Sequence, residues 1–337
     1  MKTKERIDLH LPTSWAACTV EELEQIVIAK RMSVLFNWQH DNNDGIKAVP
    51  WKVECFLRLA ELEMLQGPHP EVPVEEQYIV VQRIASRTSR CSWFPWENKK
   101  KNEPFVIYLW QVHYWIKEFL GWLDTPPKII KFPYPIWCKR WHKFAGPSIY
   151  LTNWSWTQYR IAQDYLQYYI VTAERLSKKI GTGISDEERR KLIQQLQTAR
   201  ALFLATIYNK KVTVIDEETL RKKKGYYYLA NQSSDNNKYF RDYSTIKFEV
   251  ILLWWGYTMQ RLHQIYPKCF ASDKKKTQPK KQQDSLELYS RLTATMEKYM
   301  RVDEKQLGKE TFSNVLQHLN DMVANNEELE RIRNRHK

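Results

Sequence analysis

The apolar positions of this chain recur at helical spacing toward both ends and lose that rhythm between about residues 71 and 150. Leu23, Ile26, Val27, Met32, Leu35 and Phe36 form a helical stripe. Thr19, with Glu22 three residues on, has the spacing of a capping box, so the helix opens there and closes at Asp41-Asn-Asn-Asp-Gly45. Val53, Phe56, Leu57, Ala60 and Met64 predict a second helix over 51–66, stopped by Gly67-Pro68-His69-Pro70. After Gly146-Pro147 the helical period returns. A segment over 156–179, capped by Ser155 or Asn153, and another over 185–208, opened by Ser185-Asp-Glu-Glu188, are joined by Gly181-Thr-Gly183. Together they predict an antiparallel helical hairpin. The stretch 245–266 is mostly apolar, which predicts a central helix ending near Pro267. Leu286, Leu288, Leu292 and Met296 mark one amphipathic helix over 285–300. Phe312, Val315, Leu316, Leu319, Met322 and Val323 mark another over 309–336.

Between these helices, eight prolines from Pro73 to Pro147 punctuate short aromatic segments. Residues 78–84 are β-branched and read as a strand. Residues 105–123 read either as a buried helix or as a strand followed by a helix, because periodicity does not separate the two. Residues 225–243 are polar and tyrosine-rich and read as a loop. The fold class is therefore mainly α. An aromatic-cored, multi-helix body spans 1–267, with a Pro-punctuated section that leaves room for short strands. A basic flexible linker follows over 268–283, then a C-terminal appendage of amphipathic helices over 284–337.

Composition sharpens this picture at three points. Nine of the fourteen tryptophans fall between Trp93 and Trp156 and none follows Trp255, which places the aromatic core in the body. With only 9 glycines, Gly-rich loops and doubly wound folds lose ground to helices. The net charge of +14 is not a tail effect: residues 282–337 carry nine basic and ten acidic groups, so most of the excess precedes Pro267. A basic body suits nucleic acid, an acidic protein or solubility alone. Five cysteines, with no CxxC pair, indicate free thiols in a reducing compartment. The N-terminus lacks an apolar stretch of signal-peptide length, and the apolar run over 248–259 is too short for a hydrocarbon layer of roughly 30 Å. The expected location is the cytoplasm of the cell that makes the protein, with no membrane partner.

Candidate chemistry is sparse. Aligning Gly45 with the invariant glycine of a calcium loop puts His40 at the first position and Trp51 where a bidentate Glu is required, so Asp41–Gly45 reads as a plain turn. Cys138 and His142, four apart, could share a helical face and suit a metal or thiol–imidazole pair, but no further ligand follows in a recognisable pattern. His113 lies among aromatics and reads as a core histidine. Glu187-Glu188 and Glu327-Glu328 read as capping and solvation. No phosphate loop, nucleophile elbow or zinc helix motif occurs. The expectation is a protein without enzymatic activity or cofactor.

Two runs interleave cations with aromatics. One holds Trp137, Lys139, Arg140, Trp141 and Lys143, and the other holds Arg221, Lys222, Lys223 and Lys224 before three tyrosines. Such runs can neutralise phosphates while stacking on bases. The alternative is that the aromatics face the core and the cations face water.

The segment Tyr150-Leu-Thr-Asn-Trp-Ser-Trp-Thr-Gln-Tyr-Arg-Ile-Ala-Gln-Asp-Tyr165, followed by Arg200-Ala-Leu-Phe-Leu-Ala-Thr-Ile-Tyr208, resembles helical proteins of tailed phages and prophages. Leu11-Pro-Thr-Ser-Trp15 and Thr311-Phe-Ser-Asn-Val-Leu-Gln-His-Leu-Asn320 resemble the opening and closing parts of such proteins. The family is that of phage structural or tail-assembly proteins, including chaperone-like ones that attend the tape-measure protein. The resemblance implies a non-enzymatic, partner-binding role, with other phage proteins as partners and incorporation into a virion as one destination. On this reading the tethered C-terminal helix would dock a partner through Phe312, Leu316, Leu319 and Val323. Nucleic-acid binding through the basic aromatic runs is the alternative.

Overall fold

The computed structural model describes residues 11–40, 51–68, 71–73, 76–84, 104–139, 141–215, 221–229, 231–269 and 285–335. The chain divides into two compact units, Met1–Ile129 and Ile130–Lys337. It is mainly α, with two small antiparallel sheets.

In the first unit, helix α1 (Val20–His40) opens on the expected capping box. The Thr19 amide donates to Glu22 Oε2 at 2.6 Å and the Glu22 amide donates to Thr19 Oγ1 at 3.2 Å. Two backbone donors that a helix start leaves unpaired are thereby satisfied. Helix α2 (Trp51–Leu59) is shorter than the expected 51–66. Glu61 takes φ 55°, and Leu62–Gln66 becomes strand β1, paired with β2 (Tyr78–Arg83). No glycine or proline marks that break; the ladder with β2 outweighs local helical preference. Residues 105–123 resolve as a strand followed by a helix, β3 (Phe105–Tyr108) and α3 (Leu109–Phe119). The sheet order is β1-β2-β3. Its inner residues Leu62, Ile79, Val81 and Ile107 are buried together with Ile26, Phe56 and Val112 from the helices. Trp15 and Trp122 meet edge to face at 5.1 Å, and the Trp15 indole donates to the Thr125 carbonyl at 3.0 Å. The Asp41–Gly45 turn lies outside the described residues.

The second unit is built on the expected hairpin of α4 (Trp156–Thr182) and α5 (Asp186–Ile207). Ser155 caps α4 by accepting from the Gln158 amide, and Ser185 caps α5 by accepting from the Glu188 amide. Gly183, at φ 86°, takes the left-handed conformation that ends α4 at little cost to a glycine. Two short strands precede the hairpin, β4 (Ile136–Lys139) and β5 (His142–Ala145), and two follow it, β6 (Asn209–Ile215) and β7 (Lys222–Tyr226). They form one sheet in the order β4-β5-β6-β7. The loop expected over 225–243 thus contains the end of β7 and a short helix, α6 (Gln232–Asn236). Helix α7 (Thr245–Ile265) is capped by Ser244 and contributes buried Phe248, Trp254 and Trp255 to an aromatic core. That core continues through Phe132, which lies 4.8 Å from Trp254 and 5.5 Å from Tyr208. A Cβ on Gly146 would stand 2.2 Å from the Phe132 ring, so the backbone can approach the core there only as glycine.

The C-terminal helices α8 (Ser285–Met300), α9 (Glu304–Lys309) and α10 (Phe312–Arg335) belong to this second unit. The Trp156 amide donates to Glu310 O at 2.9 Å, and the Phe312 amide donates to Trp154 O at 2.8 Å. The Phe312 ring stacks on Tyr159 at 4.0 Å. The boundary between the two compact units lies at Ile129, and α10 is packed on α4. Residues 270–284, the core of the expected linker, lie outside the described residues.

Candidate nucleic-acid interface

The sheet β4-β5-β6-β7 brings the two basic runs together, although about eighty residues separate them in sequence. The hairpin between them in the chain, α4–α5, returns the backbone so that β6 lies beside β5, with Phe144 opposite Lys210 and Ala145 opposite Asn209. A buried amide network fixes the start of β6. Gln158 Nε2 donates to Thr206 O at 2.8 Å and to Asn209 Oδ1 at 3.2 Å. Gln232 Nε2 donates to Tyr208 O at 2.8 Å. Thr206 and Ser233 share a hydrogen bond at 2.7 Å, and the Tyr228 hydroxyl meets Ser233 Oγ at 3.1 Å. Burial pushes the Tyr228 phenol above its ordinary pKa and the Tyr208 phenol well above it, so both stay neutral donors.

Cross-strand partners in an antiparallel pair point to the same face, and neighbours along a strand point to opposite faces. The register pairs Trp137 with Phe144, Cys138 with Lys143, Thr213 with Lys224, Lys211 with Tyr226 and Ile215 with Lys222. One face is therefore the core face. On it, Phe144 is fully buried and Trp137 stacks on Phe240 at 6.4 Å and meets Tyr243 edge on at 4.7 Å. The opposite face carries exposed Lys143, Lys211, Lys222 and Lys224, with Ile215 and half-buried Tyr226 among them. None of these four lysines forms an ion pair with an acid among the described residues. The connection 216–220, which includes Asp216, Glu217 and Glu218, lies outside the described residues. Trp141, in the turn between β4 and β5, is 99% exposed.

The sequence-predicted residues thus separate. Lys143, Lys222 and Lys224 share this surface, Trp141 is exposed in the turn at the end of the β4–β5 hairpin, and Arg221 is exposed just before β7. Trp137 belongs to the core. Lys139 lies on the core face and pairs with Asp242 at 3.3 Å. Lys223 points away from the outer face, opposite Val214. Arg140 lies outside the described residues. Lys211 and Ile215 escaped the sequence reading, and Tyr226 entered it only as one of the three tyrosines that close the second run. The alternation Val212-Thr213-Val214 was the signal for β6, but flanking lysines made it inconspicuous.

Other candidates are redistributed as well. Cys138 and His142 sit on the two strands of a hairpin and not on a helical face, and His142 Nε2 is 2.9 Å from the Tyr239 hydroxyl. Among the described residues no group of three or more His, Cys, Asp or Glu could hold a metal ion. His113 is exposed on α3 and not in the core. An open recess lined by Gln66, Gly67, Glu71, Val72 and Tyr78 in the first unit brings no set of catalytic groups together. Phe312, Leu316 and Leu319, expected to face a partner, are buried in the chain's own second unit, where the Phe312 ring stacks against Tyr159 and Trp156. Val323 is half-buried. Among the described residues no helix is long and apolar enough to cross a membrane. Comparison with protein families, with curated proteins and with solved structures finds no match for this chain.

Proposed function

We propose that this chain is a nucleic-acid-binding protein whose contact surface is the outer face of the sheet β4-β5-β6-β7. The observation that carries this reading is the convergence of Lys143, Lys211, Lys222 and Lys224 on one exposed face beside a tryptophan left in water. Phosphate neutralisation releases condensed counterions, so lysines without an acidic partner among the described residues are the groups that gain most from a polyanion. The reading requires no bond-making step and no cofactor.

The test uses the full chain and a labelled oligonucleotide, with affinity measured across a salt series. Log affinity should fall linearly with log salt, by about 0.7 per phosphate neutralised on a single strand. Replacing Lys143, Lys211, Lys222 and Lys224 by Gln should weaken binding and flatten that slope by about 3. Binding insensitive to salt, or untouched by the fourfold replacement in a variant that remains folded, would overturn the reading.

A second reading, the phage-type assembly role, draws on the far end of α10. From Asn325 onward the described positions of that helix are exposed, including Leu329 at 55% and Ile332 at 43%. These two stand one turn apart and suit the groove of a partner protein. Nuclease-resistant capture of virion proteins, abolished by removing residues after Ala324, would favour it.

A further inference from the structure

We infer that the nucleic acid taken by this sheet is single-stranded, with Trp141 stacking on an unpaired base. The inference rests on the nucleic-acid reading of the same surface and adds the form of the ligand. Trp141 is 99% exposed, whereas Trp154, Trp156, Trp254 and Trp255 are buried. An indole in full solvent contributes nothing to the core, and its flat face is available to another ring. The ring stands in the tight turn between Lys139 and His142, at the end of a two-stranded ribbon. Its other neighbour in the basic run, Trp137, is fixed against Phe240 and Tyr243 and takes no part.

The surface behind Trp141 is a shallow sheet and not a projecting helix. One step beyond the Phe144–Lys210 pair, the strands carry Lys143 and Lys211 on the outer face, and Lys211 is paired in turn with Tyr226. Cations and an aromatic therefore succeed one another across the strands toward the hairpin that bears Trp141. A single strand can lay its backbone along such lysines and turn its bases onto the rings. A duplex offers no free base face, so Trp141 would first have to unstack a step. A two-stranded ribbon can enter a major groove, but readout there requires donors and acceptors aimed at base edges, and Trp141 supplies a lone N–H donor.

The test compares a labelled thymidine homopolymer of about sixteen nucleotides with a duplex of the same length, at one salt concentration. The proteins are the wild type, Trp141→Ala, Trp141→Phe and the fourfold lysine variant. The single strand should bind at least about tenfold more tightly than the duplex. Trp141→Ala should weaken it by about fivefold to a hundredfold, with the salt slope kept, and Trp141→Phe should retain most of the affinity. Equal or tighter duplex binding, or an unchanged affinity in Trp141→Ala, would overturn the single-strand inference while leaving the basic surface in place. Loss of salt-dependent binding to either ligand in the wild type would remove the underlying reading as well.

Discussion

Trp141 and Trp254 are the same side chain in opposite circumstances, one 99% exposed and the other fully buried. Trp254→Ala should lower the unfolding free energy by about 3–5 kcal/mol, because it leaves a cavity beside Phe132 that the aromatic neighbours fill only in part. Trp141→Ala should change stability by less than about 0.5 kcal/mol. Urea unfolding of both variants checks the contrast. Protons report on the interior at the same scale. Burial raises the Cys55 thiol from 9.0 to about 12, and the Tyr208 phenol rises for the same reason. The unfolded chain loses these protons first, so their contribution is whole below about pH 9 and is lost as pH climbs through about 12. Lys30, whose ammonium burial depresses, works in the other direction. Stability measured from pH 8 upward should fall; a rise would show that Lys30 outweighs the thiols and phenols. Which tryptophan of the run 137–144 would be core was not readable from the sequence. A two-residue alternation decides it, and that depends on recognising a strand.

At the scale of elements, the caps were legible and the short strands were not. Thr19, Ser155 and Ser185 each accept or exchange the hydrogen bonds their spacing predicts, because capping is a contact between residues three apart. Ser185→Ala should cost about 0.5–2 kcal/mol, and Asp should restore most of it. Thermal unfolding of the two variants tests this, and no loss on Ala substitution would show that Lys179, which holds Glu188 in an ion pair, anchors the start of α5 alone. Strand β1 was hidden because Leu62, Glu63 and Met64 continue the helical pattern of α2, and their pairing with β2 is a long-range choice. Strand β7 was hidden because Lys222, Lys223 and Lys224 show no apolar alternation. The candidate surface was half legible for that reason: its residue types stood out, but their assembly depended on strand pairings that no local signal carries.

Over the whole chain, the C-terminal segment changes meaning. Its amphipathic pattern was evident, but a pattern does not name the surface that covers it. The structure supplies that surface from α4, with Phe312 stacked on Tyr159 and lying beside Trp156. Phe312→Ala should cost about 3–5 kcal/mol, and a chain ending at Cys269 should be less stable still, since Trp156 and Tyr159 lose their cover. A truncated chain with the full chain's urea midpoint would contradict that packing. The basic excess was legible as a total but not as a surface, because charge counts carry no geometry. The most direct measurement is a photo-crosslink between the full chain and a single-stranded oligonucleotide bearing a photoreactive base, with the modified peptides mapped by mass spectrometry. Crosslinks in the peptides holding Trp141 and Tyr226 are the predicted result. Crosslinks confined to the first unit or to α10, with none in β4–β7, would contradict the assignment of this sheet as the contact surface.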